Sequence, residues 1–145
     1  IGGVLESEFV LHDQSVISRF FCEGDLCANV ESAFQSQFAS DTLFAITPAT
    51  VLTIPFKRFE EMYLNSDQFG LYLRKKILLN TLTTKKIVSI KSQPAAQAKQ
   101  EILEKDLPWV LKRVPQKYIA SFLGLTPQGY SRFLRERADC NKEYK

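Results

Sequence analysis

A short segment near the carboxyl end carries the side chains with the clearest chemistry. Residues 128–137 offer an amide, a hydroxyl and three guanidinium groups, and we expect all five on the outer face of one helix. Amide and guanidinium groups make paired hydrogen bonds to base edges, and hydroxyl and cationic groups bind phosphates. The pattern therefore indicates a surface that contacts nucleic acid. Its members are Gln128, Ser131, Arg132, Arg135 and Arg137.

The elements that must position this face are two helices joined by a tight turn, over residues 116–135. Ala120 supplies the small side chain needed where two steeply crossed helices touch, and Gly124 tolerates the positive φ of the turn. Thr126 and Pro127 suit the N-cap and first turn of the second helix. The segment thus meets the requirements of a helix-turn-helix; the alternative is an ordinary helix pair with no ligand. The expected buried anchors are Ile119, Leu123, Leu125, Tyr130 and Phe133.

The charge of the chain is divided unevenly. Residues 1–64 carry three basic and nine acidic side chains, a balance of −6, whereas residues 65–145 carry 16 basic and seven acidic ones, a balance of +9. A strongly basic half favours a polyanionic partner. The alternative is a basic, solvated surface without a partner, and charge alone leaves both open.

The composition is that of an ordinary globular protein, since 45% of the 145 residues are hydrophobic and 24% are charged. The chain has no apolar stretch long enough to span a membrane and does not begin with a signal-peptide pattern. A single histidine, His12, argues against a His-rich metal site and a Ser-His-Asp hydrolase. Three cysteines, Cys22, Cys27 and Cys140, suit a reducing cytoplasm. We therefore expect a cytoplasmic protein without catalytic residues, metal or cofactor.

Most of the first module, up to Pro55, has the composition of β-structure. Four short runs rich in β-branched and aromatic residues, each bounded by turn formers, predict four strands. Four strands suffice for part of a roll or sandwich but are few for a closed one, and the chain begins without Met. We therefore expect that an N-terminal portion of this module is missing. The predicted strands are Val4–Leu11, Val16–Phe21, Asp41–Ile46 and Thr50–Pro55.

The periodicity changes at Pro55, where apolar residues begin to recur at three- and four-residue steps. This predicts a short helix and then a longer one, which Asp67 caps and which runs to about Lys91. The apolar residues of the longer helix form two stripes, which predicts two neighbours: the β module and a second copy of the chain. The alternative is the core helix of a monomer. The stripes are Phe69, Leu73 and Ile77, and Leu71, Leu78 and Leu82.

A hinge is predicted at Ser92-Gln93-Pro94, with Pro94 in the first turn of the next helix. That helix is expected to end near Asp106, and the apolar residues 109–111 follow it. The chain then divides into a β module (residues 1–66), a dimerisation helix (67–91) and a helix-turn-helix domain (92–145).

Residues 119–127, Ile-Ala-Ser-Phe-Leu-Gly-Leu-Thr-Pro, followed by Tyr130-Ser131-Arg132, resemble the DNA-binding end of the bacterial Crp/Fnr family of transcription regulators. The order of the predicted elements also matches that family, and residues 20–26 resemble the segment before its phosphate cassette. The resemblance covers nearly the whole chain and is specific in the last third. It implies an α+β fold: a partial β-roll of cyclic-nucleotide-binding type, a long dimerisation helix and a C-terminal helix-turn-helix. This end is winged-helix-like without a clear wing, because only eight residues follow Arg137.

The resemblance also implies roles for individual residues at a DNA duplex. Gln128 and Arg132 would contact base edges, with guanine the natural partner of Arg132. Gly129 departs from the small polar residue usual at its position, so one phosphate contact is expected to be missing. The residues expected at the DNA backbone are Lys117, Thr126, Ser131 and Arg135.

A candidate effector pocket is implied at Asp25, Thr83 and Thr84, where the family binds a ribose and an adenine. However, no Lys or Arg lies between Glu23 and Phe56 to bind a nucleotide phosphate, so we do not expect cAMP as the effector. An iron–sulfur cluster is not expected either, since it needs four thiolates and the chain has three cysteines.

The sequence thus predicts a homodimeric, sequence-specific DNA-binding transcription regulator without catalytic activity. Its expected partners are a near-palindromic DNA site, a second copy of the chain, RNA polymerase and an unidentified small-molecule effector. The alternative is a non-catalytic, dimeric interaction or scaffold protein with a degenerate sensor domain, in which the helix-turn-helix only packs.

Overall fold

The computed structural model describes residues 2–11, 14–35 and 37–143, which form three β-strands and seven α-helices. The fold is therefore of the mixed α+β class, as predicted, while His12 lies outside the described residues. Among the helices described, none is long and apolar enough to cross a membrane. The elements are β1 (Leu5–Leu11), β2 (Gln14–Phe21), α1 (Val30–Gln35), β3 (Thr42–Ala45), α2 (Phe56–Asn65), α3 (Asp67–Lys91), α4 (Ala96–Asp106), α5 (Pro108–Arg113), α6 (Gln116–Leu123) and α7 (Pro127–Glu143).

The three strands form one antiparallel sheet in the order β2-β1-β3. Leu5 of β1 lies opposite Phe21 of β2 and Ala45 of β3, and the β1–β2 register shifts between Ser7 and Glu8. The strands fall within or close to three of the four predicted runs, because those runs concentrate β-branched and aromatic residues between turns.

The fourth predicted strand is wrong, and one helix was not predicted. Residues 50–55 have no regular secondary structure and are exposed. Residues 30–35 form α1, where the Asn29 side chain accepts a hydrogen bond from the Ser32 N–H at 2.8 Å. A strand needs a partner strand, which a local run of β-branched residues does not guarantee.

Helix α2 is present, and α3 has its predicted bounds, but the N-cap of α3 is Ser66 rather than Asp67. Ser66 has an extended backbone (φ −139°, ψ 107°), and its hydroxyl accepts the Phe69 N–H at 3.3 Å. Asp67 is already the first helical residue. There its carboxylate stabilises the positive end of the helix dipole instead of capping it.

The two predicted stripes of α3 differ in burial. On the first stripe Leu73 is buried, whereas Ile77 is 54% exposed. The second stripe is uncovered along its length, with exposures of 63% for Leu71, 66% for Leu78 and 57% for Leu82. One side of α3 is therefore apolar and open to solvent in the single chain.

Helix α4 begins at Ala96, so the prediction that Pro94 lies in its first turn is wrong. Ala95 keeps an extended backbone (φ −91°, ψ 135°) and serves as the N-cap. The helix ends at Asp106 as predicted, and Leu103 and the Val110 of α5 are fully buried.

One apolar core joins the sheet to the helices α3 to α7. The Phe20 ring of β2 lies 5.1 Å from the Phe122 ring of α6. Lys91, at the end of α3, donates a hydrogen bond to the Ile17 carbonyl at 2.6 Å and lies 4.9 Å over the Phe122 ring. Burial lowers the pKa of this lysine. These contacts seat α6 directly on β2.

Candidate nucleic-acid interface

The turn between α6 and α7 depends on Gly124, as predicted. Gly124 has a left-handed backbone (φ 71°, ψ 33°) and ends α6, and the Leu125 N–H donates to the Ala120 carbonyl at 2.8 Å. Lys99 of α4 donates to the Leu123 carbonyl at 2.7 Å, which satisfies another acceptor at this helix end. The turn is therefore fixed both by glycine and by a cation from α4.

Gly124→Ala is expected to reduce the free energy of unfolding by about 1–2 kcal/mol, because a Cβ is disfavoured in the left-handed region. A Cβ there would meet no atom closer than 3.9 Å, so the cost is conformational rather than steric. Chemical denaturation measures it. Gly70→Ala is the matched control: Gly70 lies within α3 with nothing near its Cβ position, and the substitution should stabilise by about 0.5–1 kcal/mol. Equal effects of the two variants would contradict the conformational explanation.

Thr126 starts α7. Its hydroxyl oxygen accepts the Gly129 N–H at 3.0 Å, and its carbonyl accepts the Tyr130 N–H at 2.9 Å. A Cβ at position 129 would lie 2.9 Å from that hydroxyl oxygen, so Gly129 leaves room for the cap. This gives Gly129 a structural role, while the exposed Thr126 hydroxyl retains its own hydrogen for donation.

The inner side of α7 is tied to α4 through a polar network. Tyr130 is 1% exposed, and its hydroxyl donates to the Gln100 side chain at 2.8 Å. Gln100 is itself buried and donates to Glu104 at 2.9 Å, and Glu104 forms a two-point ion pair with Arg137. The expectation that Arg137 lies on the outer face is therefore wrong, because Glu104 draws it back toward α4. The only sequence signal for the burial of Gln100 was its position three residues before the apolar Leu103 on the same helix.

The ion pair makes stability depend on pH. The hydrogen bond that Arg137 donates lowers the pKa of Glu104 below the ordinary 4.5. The stability that the pair contributes is therefore fully present above about pH 4.5 and is lost as the pH falls through the lowered value. The difference in free energy of unfolding between wild type and Glu104→Gln should be constant from pH 5 to 7 and shrink below pH 4.5. Glu60→Gln, at an exposed position on α2, is the control for the loss of one carboxylate.

The outer side of α7 is open. Gln128, Ser131, Arg132 and Arg135 are all exposed. The Arg132 side chain is 75% exposed, and its nearest acidic atom, in Glu136, lies 3.8 Å away. Such a surface pair contributes little and leaves the guanidinium free to bind elsewhere. Lys117, in the first turn of α6, is also exposed, with its ammonium 4.6 Å from the Tyr118 ring.

Two of the residues predicted for an effector pocket line a cavity of about 60 Å³ between β2, the turn after it and α3. Asp25 and Thr83 line it together, whereas Thr84 does not: it is exposed, and its hydroxyl donates to the Asn80 carbonyl at 3.0 Å. The structure therefore does not bring Thr84 to this cavity. Pockets for drug-sized ligands measure about 300–1,000 Å³, so the cavity in this form is too small for a nucleotide.

Two cationic side chains that were not predicted from the sequence also line the cavity, Arg19 of β2 and Lys76 of α3. They lie outside residues 23–56, and only the fold brings them beside Asp25. The Nε of Arg19 is inaccessible and lacks a hydrogen-bond partner among the described residues, and burial lowers the pKa of this arginine. Its guanidinium lies 4.9 Å over the Phe21 ring.

The surroundings of Cys22 and Cys27 disfavour the thiolate form. All three are free thiols, and burial raises the pKa of Cys22 and raises that of Cys27 to about 11. The nucleophilic form of a thiol is the thiolate, so the raised pKa values lower the reactivity of both at neutral pH. No group of three or more His, Cys, Asp or Glu side chains suited to a metal ion occurs among the described residues.

Comparison with known proteins gives no relative: no protein-family model matches the chain, and no curated protein matches it significantly.

Proposed function

We propose that the protein binds double-stranded DNA in a sequence-specific manner and that α6 and α7 act as its helix-turn-helix. The observation that carries this proposal is the two-sided character of α7. Its inner side is anchored on α4 through the buried Tyr130, while Gln128 and Arg132 lie exposed four residues apart. A recognition helix needs a rigid inner side and hydrogen-bonding groups on the side that enters the major groove.

The distribution of charge supports a DNA partner. Residues 65–145, which include α3 to α7, carry a balance of +9. In the proposed complex Gln128 and Arg132 contact base edges, and Lys117, Thr126, Ser131 and Arg135 contact the sugar-phosphate backbone. Phosphate contacts provide affinity and position the protein, whereas contacts to base edges provide selectivity.

The exposed stripe of α3 supports a homodimer. Helix α3 has 25 residues and is about 37 Å long, and Leu71, Leu78 and Leu82 are uncovered along it. Pairing two such stripes would bury them and relate two recognition helices by a two-fold axis. A dimer of this kind reads half-sites about 34–36 Å apart, which predicts a near-palindromic DNA site.

The resemblance of residues 119–132 to the Crp/Fnr family supports transcription regulation as the purpose of DNA binding. On this proposal the protein acts in the cytoplasm, RNA polymerase is a further partner, and an effector other than cAMP acts at the small cavity of Asp25 and Thr83.

Selection of bound sequences from random duplex DNA tests the proposal. We expect a dyad-symmetric consensus from the wild type, and loss of that consensus from a Gln128→Ala/Arg132→Ala double variant. No enrichment over shuffled DNA would contradict the proposal.

A second candidate function, a dimeric interaction or scaffold protein, is favoured by a separate observation. Apolar side chains are exposed around β3 and on the segment after it, including Phe44 at 45%, Val51 at 51% and Leu52 at 79%. Exposed apolar surface of this kind is typical of protein-protein contacts. A salt titration separates the two functions, because DNA binding weakens steeply with salt and apolar association does not.

A further inference from the structure

An ion pair joins the turn after β2 to the end of α5, 90 residues away along the chain. Both terminal nitrogens of Arg113 donate to the Glu23 carboxylate, at 2.5 and 2.7 Å, and one oxygen of Glu23 also accepts the Gly3 N–H at 3.2 Å. The planar guanidinium matches the two oxygens of a carboxylate and those of a phosphate in the same way. The Glu23 carboxylate therefore binds the Arg113 guanidinium in the same two-point geometry that a DNA phosphate would use.

Arg113 lies at the start of the proposed DNA-binding unit. It is the last residue of α5, Pro115 is the N-cap of α6, and Lys117 lies in the first turn of α6. The N-terminal end of a helix carries partial positive charge and favours phosphates. Lys112 and Lys117 on either side of Arg113 are exposed without an ion pair to the described residues, whereas Arg113 is engaged by Glu23.

We propose that Glu23 is an internal competitor for Arg113, which withholds this arginine from a DNA phosphate and releases it when the turn of residues 22–25 moves. This inference rests on the proposed DNA-binding function and adds a means of regulating it.

The turn that carries Glu23 is also connected to the cavity. Asp25 closes the turn by accepting the Cys22 N–H at 2.9 Å, and it lines the cavity with Arg19. Lys76 of α3, which also lines the cavity, donates to the Gly24 carbonyl. Any group that displaces Asp25 or Lys76 therefore acts on the segment that holds Glu23.

Protons do not operate this competition at physiological pH. The hydrogen bonds from Arg113 lower the pKa of Glu23 to about 2, so the carboxylate stays charged above that pH. The stability that the ion pair contributes is fully present above the ordinary carboxyl pKa of 4.5 and is lost as the pH falls through about 2. Release of Arg113 therefore requires movement of the turn or a stronger anion.

A double-mutant cycle tests the proposal, with fluorescence anisotropy on a duplex that carries the selected site. Glu23→Gln should bind about threefold to tenfold more tightly than wild type at 50 mM salt, because one more phosphate contact forms. This advantage should shrink about threefold at 200 mM salt, since that contact releases one further counterion. Arg113→Gln should cost more affinity in the Glu23→Gln background than in the wild type.

The control is Glu61→Gln, which also frees an arginine, Arg58 of α2, from an exposed ion pair of 3.0 Å. It should leave DNA binding unchanged, and circular dichroism should show that every variant is folded. Selective binding by wild type with no gain from Glu23→Gln, or equal losses from Arg113→Gln in both backgrounds, would overturn the competition alone. Absence of any Arg132-dependent selectivity would overturn the proposed function and the competition with it.

Discussion

Arg132→Ala should reduce the preference of the protein for its selected DNA sequence over shuffled DNA by about 5-fold to 150-fold. One bidentate contact to a base contributes about 1–3 kcal/mol of discrimination, and tenfold corresponds to about 1.4 kcal/mol. The side chain is 75% exposed and only weakly paired with Glu136, so its removal should change the free energy of unfolding by less than about 0.5 kcal/mol. Competition binding with the two duplexes at one fixed salt concentration measures the ratio.

Arg135→Ala is the matched control, since Arg135 is also an exposed arginine of α7 and is expected at the DNA backbone. It should weaken binding to both duplexes equally and reduce the slope of log affinity against log salt by about 0.9. If Arg132→Ala behaved in the same way, α7 would contact phosphates only and the proposed reading of bases would be wrong.

The helices and the turn near the carboxyl end could be predicted because their signals are local. Gly124 provides a backbone conformation that other residues adopt at a cost, and Thr126 caps a helix that begins at the very next residue. Such features depend on neighbours three or four positions away. The burial of Ile119 and Leu123 follows from the same helical period.

The remaining features depend on partners far along the chain, and the sequence did not predict them. Residues 50–55 have the composition of a strand, but the described part of the chain provides no neighbouring strand for them. The sequence pattern predicts that Arg137 points outward, but the fold places Glu104 of α4 beside it and the two form an ion pair. Arg19 and Lys76, 57 positions apart, become neighbours only because β2 packs near α3. Both cations line the cavity, although no Lys or Arg lies between Glu23 and Phe56.

Phe122→Ala should reduce the free energy of unfolding by about 3–5 kcal/mol, because it removes a nearly fully buried ring and leaves a cavity. The ring contacts both Phe20 of β2 and the ammonium of Lys91, so its loss loosens the sheet and α6 together. Chemical denaturation followed by Trp109 fluorescence measures the loss at the helices. Hydrogen exchange of the β2 amides measures it at the sheet, and we expect the same destabilisation from both.

Phe38→Ala is the control, since the Phe38 side chain is fully exposed and its truncation should change stability by less than about 0.5 kcal/mol. If Phe122→Ala accelerated exchange in α6 but not in β2, the sheet and the helices would unfold independently. A movement of the turn at residues 22–25 then would not be transmitted to α6 through the core. The ion pair between Glu23 and Arg113 would remain as the direct connection between that turn and the end of α5. Equal destabilisation would mean that the sheet and α6 unfold as one unit, so that the shared core couples the sheet to the helix on which α7 packs.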